Sequence, residues 1–117
     1  MNPSAIRSSV LAVVILTWNG KDDTLACLQS LHDAGHPKEC ESFVVVDNGS
    51  DDATLAAVAE LYPWAERIRN ETNLGFAGGN NKGLAWALER GFRYVMLLNN
   101  DTEVPKGALE TLVAHMN

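Results

Sequence analysis

The sequence predicts an α/β fold in which four βα units form a parallel, Rossmann-like sheet with helices on both faces. Two observations support this prediction: apolar runs of strand length alternate with segments of helical periodicity, and three of the runs end abruptly in polar residues. Strict alternation of strands and helices implies right-handed crossovers and a parallel sheet. The 117 residues suffice for one domain with a hydrophobic core but not for two.

The first two units are predicted from β-branched runs and from helix start and stop signals. Residues 10–17 indicate a strand that is buried on both faces. A helix over residues 21–34 follows, because leucines recur there at every third position and a glycine comes next. Residues 43–46 predict the second strand. Ser50 or Asp51 then caps a helix that runs to about residue 61, before a proline.

The third unit has the weakest strand signal. Residues 65–69 mix charged side chains into a short apolar run, so we expect this strand near an edge of the sheet. A helix is predicted over residues 79–90, in which Leu84 and Leu88 share one face. Gly91 supplies the C-terminal stop of that helix.

The fourth unit begins with an apolar strand at residues 94–98, which ends on Asn99, Asn100 and Asp101. Pro105 suits the first position of a last helix. The apolar stripe of that helix comprises Leu109, Leu112, Val113 and Met116. In open parallel sheets ligands bind beyond the carboxyl ends of the strands, where the strand order reverses. The polar strand endings therefore predict one ligand site on that edge.

Composition narrows the class of protein. The formal net charge is -6 and no basic stripe is present, which argues against a nucleic-acid partner. Cys27 and Cys40 form no paired motif and are interpreted as free thiols in a reducing compartment. His32, His36 and His115 lack ligand spacing and are interpreted as surface or helix-end residues. No apolar run approaches the roughly 20 residues of a transmembrane helix, and no cleavage pattern indicates a signal peptide, so a cytoplasmic location is expected.

Asp47 is the first polar residue after the second strand. One interpretation is that its carboxylate accepts hydrogen bonds from a base or from sugar hydroxyls. The alternative is that it caps the turn made by Asn48 and Gly49, where glycine tolerates a positive φ, while Ser50 caps the next helix. The residue types alone leave both interpretations open.

The segment "ETNLGFAGGNNKG", residues 71–83, has more glycine and asparagine than a turn requires. Its glycines stand at positions 75, 78, 79 and 83, and its asparagines at positions 73, 80 and 81. Glycines allow a backbone to approach a ligand closely, and a helix N-terminus offers N–H groups to phosphate. The segment matches neither a P-loop nor the dinucleotide-binding glycine motif. The alternative is a flexible loop without a ligand.

Asp101 follows the fourth strand and is a hard oxygen donor, as Mg²⁺ and Mn²⁺ prefer. These ions need few protein ligands, because they keep waters and substrate phosphates. A crevice edged by Asp47, Asp51 and Glu103 as well would repel a diphosphate unless a divalent cation bridged the two. The alternative is a set of turn-forming residues before a helix that starts with proline.

Four motifs together resemble the N-terminal half of family 2 glycosyltransferases: "VVILTWNG", "VVVDNGSDD", "NLGFAGGNNKG" and "LLNNDTEV". These are inverting enzymes of the GT-A fold that use nucleotide-diphosphate sugars. The variant is most similar to the rhamnosyltransferase-like branch. The resemblance runs from Val10 to the end of the chain.

The resemblance implies a nucleotide-sugar site and a metal ligand. The implied nucleotide-sugar residues are Thr17, Trp18, Asn19, Asp47, Asn73, Gly75, Gly79, Asn81, Asn99 and Asn100. By the same resemblance, Thr17 and Trp18 lie beside the base and Asp47 bonds to it, while a loop over residues 73–81 closes over the nucleotide. Asn99 stands for the first Asp of the family's DxD motif and contacts ribose, and Asp101 binds Mg²⁺ or Mn²⁺.

The resemblance also implies a function. Residues 1–117 are expected to form a single donor-binding domain, truncated before the acceptor half, for dTDP-, UDP- or GDP-linked sugars. The general base of inverting transfer is expected beyond Asn117, so this chain alone is expected to be inactive. The acceptor is expected to be a polysaccharide, a lipid-linked molecule or a protein. A peripheral position at the inner membrane face is the alternative to a purely cytoplasmic location. An unpaired strand edge or exposed apolar surface is expected to drive homo-oligomer formation.

Other classes fit less well or stay open. A non-catalytic nucleotide-binding or interaction module would keep the fold without the chemistry, and activity measurements would distinguish it. A phospho-acceptor receiver domain would need an acidic cluster after the first strand, where Thr17, Trp18 and Asn19 stand. A pyrophosphorylase-type nucleotidyltransferase would need a basic, glycine-rich loop at the same place, and none is present.

Overall fold

A computed structural model describes residues 10–116 and contains the four predicted βα units. The strands are β1 (Leu11–Thr17), β2 (Glu41–Asp47), β3 (Ala65–Arg69) and β4 (Tyr94–Asn99). The helices are α1 (Lys21–Asp33), α2 (Thr54–Leu61), α3 (Gly75–Glu89) and α4 (Ala108–Met116). Residues 1–9 and 117 lie outside the described part, as does the side chain of Met116. No helix among the described residues is long and apolar enough to cross a membrane.

All pairings in the sheet are parallel, and the strand order is β3-β2-β1-β4. The order therefore reverses between β1 and β4, which is the position where open α/β sheets bind ligands. Thr17 is in register with Asp47, and Asp47 with Arg69, so the carboxyl ends lie level. Within residues 10–116, β3 and β4 are the two edge strands. The prediction of an edge position for β3 is confirmed.

Helices cover both faces of the sheet, as predicted. On one face, Val13, Ile15, Phe43 and Val45 pack in a cluster with residues of α1, α2 and α4. On the other face, α3 packs against a second cluster, formed by Ala12, Val14, Val44, Val46, Trp86 and Ala87. Because both faces are covered, β1 and the core of β2 are continuous apolar runs rather than alternating ones.

Helix α3 differs from its prediction in start and in buried face. It begins at Gly75 rather than at Gly79, so most of the glycine-rich segment is helical and not a loop. Leu84 is only partly buried and Leu88 is 74% exposed. The buried positions are Gly79, Asn80, Gly83, Trp86 and Ala87. Small residues at a spacing of four bring the helix backbone onto the sheet: a Cβ added at Gly83 would lie 2.2 Å from Val14 Cγ1.

Other boundaries shift by a few residues. Strand β2 includes Glu41 and Ser42 as well as the predicted run, and α2 starts at Thr54, later than Ser50 or Asp51. Helix α4 starts at Ala108, because Gly107 has a φ of +87° and interrupts helical geometry after Pro105. Leu109 is buried and Val113 packs against the core, whereas Leu112 is about half exposed, so the predicted stripe is only partly correct.

The cysteine and histidine interpretations have different outcomes. Both cysteines are free thiols, with Cys27 buried and Cys40 half-buried. His32 and His115 are exposed as predicted. The prediction for His36 is wrong, because this side chain is buried and its ring packs against Phe43 with 6.0 Å between ring centroids.

Candidate functional site

The carboxyl edge of the sheet collects most of the predicted site residues, in two groups. The first group lies where β1 and β2 end, and it contains Trp18, Asn19 and Asp47. The second lies where β4 ends beside the N-terminal part of α3, and it includes Asn99 and Asp101. The reversal of strand order between β1 and β4 brings the second group next to the end of β1.

Asp47 is fully buried, with 0% of its surface exposed, and both carboxylate oxygens have protein partners. Oδ1 accepts hydrogen bonds from the backbone N–H of Ser50 at 3.0 Å and from the Ser50 hydroxyl. Oδ2 accepts a hydrogen bond from Arg69 Nη1 at 3.0 Å, in an ion pair whose arginine is half exposed. This geometry supports the turn-capping interpretation of Asp47. Gly49 permits the turn with a φ of +91°.

Asn48 is a structural centre of this edge that the sequence indicated only as a turn residue. Its Nδ2 donates to Asn73 Oδ1 at 3.1 Å and to the carbonyl of Gly75 at 3.0 Å. Its Oδ1 accepts from Asn70 Nδ2 at 3.0 Å and from the N–H of Leu74 at 3.2 Å. One buried amide therefore fixes the end of β2 to the start of α3.

Asn19 joins the end of β1 to the same rim. It adopts a left-handed backbone with a φ of 50°, and its N–H donates to the Ser50 hydroxyl at 2.8 Å. Its Oδ1 accepts from the N–H of Asp51 at 2.8 Å. Asn19 therefore connects two loops through hydrogen bonds, although its side chain is exposed.

Asp52 connects the two helices that follow β1 and β2. Its carboxylate accepts from the N–H of Lys21, the first residue of α1, at 3.0 Å, and from the N–H and hydroxyl of Thr54, the first residue of α2. Burial opposes ionisation of Asp52, but the hydrogen bonds from Thr54 and Lys21 outweigh it and lower the pKa. The ionised form therefore stabilises the fold above the usual pKa of Asp, and that contribution is lost as the pH falls through the lowered value.

The two residues expected beside a base have opposite environments. Trp18 is 56% exposed at the end of β1. Thr17 is buried and its hydroxyl accepts a hydrogen bond from the Thr24 hydroxyl at 2.9 Å. Asn100 Nδ2 in turn donates to Thr24 at 3.3 Å, so Thr17 and Asn100 belong to an internal network. Of Thr17, Trp18 and Asn100, only Trp18 is exposed.

A cavity of about 240 Å³ lies at the end of β4. It is lined by Leu16, Phe76, Asn80, Leu97, Leu98, Asn99, Asn100 and Asp101. Asn99 and Asp101 are exposed at its mouth. Asn80 is only 5% exposed, and its Nδ2 has no hydrogen-bond partner among the described residues. An unpartnered buried amide is costly, which makes Asn80, a lining residue of the cavity, a candidate for contact with a ligand.

Asn80 is not among the site residues predicted from the sequence. Its position could have indicated a functional role, because Asn80 is a polar residue within the buried stripe of α3 that includes Gly79 and Gly83. Polar residues on the buried side of a helix are uncommon and often functional. Gly79 itself packs on Leu16, so it allows close helix–sheet packing rather than contact with a ligand.

The N-terminus of α3 places further predicted residues near this cavity. Asn73 Oδ1 accepts from the N–H of Gly75 at 2.7 Å and thereby helps to start the helix. Gly75 has a φ of +78° and open space around its Cα, and Asn81 is exposed. The expected loop over residues 73–81 is therefore a helix start, which offers free N–H groups and a positive dipole end.

Cys27 lies near this edge and is chemically quiet. Burial and the negative charge of Asp101 raise the pKa of the Cys27 thiol to about 11. A thiol with such a pKa stays protonated near neutral pH and is a poor nucleophile.

The residues at the end of β4 fit a divalent cation and an anionic ligand. Asp101 is an exposed carboxylate with the hard oxygens that Mg²⁺ and Mn²⁺ prefer. Asn80 supplies an unpartnered amide donor, and the start of α3 supplies backbone N–H groups. Such a donor set can hold a metal-bridged phosphate, whereas an acidic edge alone would repel it.

The fold is similar to that of solved glycosyltransferases. The crystal structure of S. aureus TarS 1-349 superposes with a TM-score of 0.74 and 27% identity over 92% of this chain and 32% of that chain. Structures of TarS 1-349 with UDP and with UDP-GlcNAc match equally well. The mannosyltransferase PcManGT from Pyrobaculum calidifontis, in complex with GDP-Man and Mn²⁺, gives a TM-score of 0.68 and 26% identity over 88% of this chain and 30% of that chain. The predicted fold class, a GT-A-like α/β sheet, is confirmed.

Sequence comparison leads to the same class of protein. The uncharacterized proteins Rv1525 of Mycobacterium tuberculosis and Mb1552 of Mycobacterium bovis are each 35% identical over 79 residues, which are 65% of this chain. The chain spans about a quarter of the length of these relatives, since the match covers 26% of each. The family profile for glycosyl transferase family 2 matches residues 12–117. Because this match covers most of the sequence, the chain belongs to glycosyl transferase family 2.

Proposed function

We propose that these residues bind the donor of an inverting glycosyltransferase, a nucleotide-diphosphate sugar, together with Mg²⁺ or Mn²⁺. The observation that carries the proposal is the cavity at the end of β4. Its lining includes the exposed Asp101 and the buried Asn80, whose amide nitrogen has no hydrogen-bond partner among the described residues. Further support comes from relatives of the same fold whose structures contain UDP, UDP-GlcNAc, or GDP-Man with Mn²⁺.

The proposed roles follow from exposure. Trp18 stacks on the base, because its indole is the exposed aromatic group at the end of β1. Asn99 hydrogen-bonds ribose from the mouth of the cavity. Asn80 and the backbone N–H groups of the first turn of α3 that follow Gly75 bind the diphosphate; the N–H of Gly75 itself is bonded to Asn73. Asp47 orders the turn rather than touching the base, because its oxygens already accept hydrogen bonds.

Asp101 is the proposed metal ligand. When bound, a divalent cation neutralises charge on the diphosphate leaving group. The chain's own contribution is to orient the donor and to hold its diphosphate against fixed donors, Asn80 and the α3 N-terminus, that need no reorganisation. Inverting transfer also needs a base to deprotonate the acceptor hydroxyl, and we place that base outside residues 1–117. On this proposal residues 1–117 are a donor-binding domain that is inactive alone.

The proposal also covers the donor, the acceptor and the location of the reaction. The motif "NLGFAGGNNKG" favours the rhamnosyltransferase-like branch, with a dTDP-, UDP- or GDP-linked donor. The acceptor is a polysaccharide, a lipid-linked molecule or a protein, which makes polysaccharide biosynthesis the proposed setting. The proposed location is cytoplasmic, peripheral to the inner membrane where the acceptor is lipid-linked. The alternative is a non-catalytic nucleotide-binding module. The single carboxylate at the DxD position favours this alternative, because one carboxylate binds a metal less tightly than two.

The proposal is tested by calorimetric titration of the chain with UDP, dTDP and GDP, each with and without Mn²⁺. We expect one nucleotide to bind, and Mn²⁺ to increase its affinity by about tenfold, or about 1.4 kcal/mol. Asp101→Asn should remove the gain from Mn²⁺ and leave binding without metal unchanged, because it deletes only the charged ligand.

Glu103→Gln is the matched control, since it removes a nearby exposed negative charge that we do not place at the metal. An equal loss of the Mn²⁺ effect in both variants would mean that Mn²⁺ responds to the summed negative charge of this edge and is not bound by Asp101 itself. A folded chain that binds none of the three nucleotides would contradict the donor-binding proposal.

A further inference from the structure

His36 lies at the opposite edge of the sheet from the candidate donor site, in the connection between α1 and β2. It is 2% exposed, and its side chain is fully enclosed. Both nitrogens of a buried imidazole need partners, because a lost hydrogen bond inside the protein is costly. The surroundings of these two nitrogens are therefore informative.

The Nδ1 side of His36 is well defined. Nδ1 lies 2.6 Å from Glu41 Oε1, and the same oxygen accepts the backbone N–H of Lys38 at 2.7 Å. The Glu41 side chain is only 5% exposed. Because an ionised carboxylate can only accept, the hydrogen bond assigns the proton to Nδ1. In the neutral ring, Nε2 then carries a lone pair.

The Nε2 atom of His36 does not have a comparable hydrogen-bond partner among the described residues. Nε2 lies 3.2 Å from Glu110 Oε1 of α4, yet the two atoms do not form a hydrogen bond, because the oxygen lies off the direction of the ring nitrogen. Nε2 is thus a buried polar atom without a hydrogen-bond partner among the described residues. When the ring is neutral, the electron-rich Nε2 and the Glu110 carboxylate repel each other at this distance, and a cation bound by both would remove that repulsion.

The distances are compatible with a metal ion shared by His36 and Glu110. Two ligands that are each about 2.0–2.1 Å from a tetrahedral zinc ion lie about 3.3 Å from one another, and neither points straight at the other. The ligand atoms of His36, Glu41 and Glu110 all lie within 4.8 Å of one another. A hydrogen bond from the second ring nitrogen to a carboxylate, as His36 makes to Glu41, is the usual way in which a metal-binding histidine is oriented.

We propose that His36 Nε2 and the Glu110 carboxylate bind a transition-metal ion of the zinc class, with Glu41 fixing the ring of His36. Imidazole and carboxylate together favour such an ion over Mg²⁺ or Ca²⁺. A cavity of about 310 Å³, lined in part by Glu41 and Glu110, lies beside these carboxylates. The ion ties α4 to the connection between α1 and β2, far along the sheet from the β4 end that carries Asp101.

The test is titration of the chain with Zn²⁺ alone, by calorimetry, and with Co²⁺ alone, by visible absorption. We expect one ion per chain and a rise in thermal unfolding temperature that a chelator reverses. Glu110→Gln should weaken Zn²⁺ affinity at least tenfold, and Glu41→Gln should weaken it by about 10- to 100-fold through the orientation of His36. Glu110 is the informative position, because its partly exposed side chain allows a substitution that keeps the fold.

Two control variants locate the ion. His115→Gln removes an exposed histidine from the same helix as Glu110, and it should leave Zn²⁺ affinity unchanged. Glu60→Gln should also leave it unchanged, because that exposed carboxylate on α2 is not among the groups around His36. Zn²⁺ affinity that survives in Glu110→Gln, or that disappears in Glu60→Gln, would overturn the proposal. Absence of Zn²⁺ binding by the unaltered chain would overturn it too.

Discussion

Asn48 shows how much structure a single amide can specify. Its four hydrogen bonds use both ends of the side chain and reach residues 70, 73, 74 and 75. The sequence identified a turn at this position, because asparagine and glycine follow a strand there. The partners were not predictable, since they lie more than 20 positions away and depend on the pairing of β2 with β3.

Asn48→Ala tests this role. We expect the free energy of unfolding to fall by about 2–4 kcal/mol, because the buried groups that Asn48 satisfies would lose their partner. Chemical denaturation followed by circular dichroism measures the change. Asn81→Ala, at an exposed asparagine of the same helix region, is the control and should change stability by less than about 0.5 kcal/mol. Similar small effects in both variants would contradict the central role of Asn48.

The predicted site residues divide according to burial. Trp18, Asn99 and Asp101 are exposed. Asp47 and Thr17 are buried and bonded within the protein. A polar residue after a buried strand is predictable from sequence, whereas the direction of its side chain depends on loops that the sequence does not order in space. Asp47 is an example, because its carboxylate accepts hydrogen bonds from Ser50 and Arg69.

At the scale of elements, α3 is where local signals and tertiary packing disagree. Glycine is a poor helix former, and a run of glycines normally indicates a loop. In this chain, the run is helical from Gly75, because Gly79 and Gly83 let the helix backbone lie directly on Leu16 and Val14. The gain from this close packing offsets the low helix propensity of glycine.

Gly83→Ala tests the close approach of α3 to the sheet. Alanine favours helix, yet the added Cβ would lie 2.2 Å from Val14 Cγ1, so we expect a net loss of about 1–3 kcal/mol in unfolding free energy. The double variant Gly83→Ala/Val14→Ala should lose less than the sum of the two single changes, because Val14→Ala makes room. Denaturant unfolding of all three variants gives the coupling energy. Strict additivity would mean that the helix and strand are not in contact here.

At the scale of the whole molecule, alternation of apolar and helical segments was sufficient to predict four parallel βα units with helices on both faces. The strand order β3-β2-β1-β4 was not predictable from one sequence, because no local signal distinguishes it from other orders. That order decides which strand ends meet. The cavity beside Asn80 depends on it, and this explains why the sequence indicated the edge but not the complete set of lining residues.

The edge strand β4 leads to a prediction about assembly. Among the described residues β4 pairs with β1 alone, and Leu97 on it is 46% exposed. Open strand edges and exposed apolar side chains favour association. We expect sedimentation velocity to show concentration-dependent self-association of the chain, and Leu97→Lys to weaken it.

Leu61→Lys is the matched control, because Leu61 is a similarly exposed leucine at the end of α2. It should leave self-association unchanged. A chain that stays monomeric at high concentration, or equal effects of Leu97→Lys and Leu61→Lys, would exclude β4 as the associating edge.

The hydrogen bonds around the ends of β1, β2 and β3 also determine how binding energy is distributed. Asn19 donates to Ser50, Ser50 donates to Asp47, and Arg69 donates to Asp47 from the next strand. On the proposed function, a nucleoside would lie beside loops whose polar side chains are already held by these hydrogen bonds, so little conformational entropy of the loops would be lost. The exposed carboxylate of Asp101 is not ordered by such hydrogen bonds among the described residues. On the same proposal, ordering Asp101 would therefore cost entropy at the step in which a cation and the diphosphate bind.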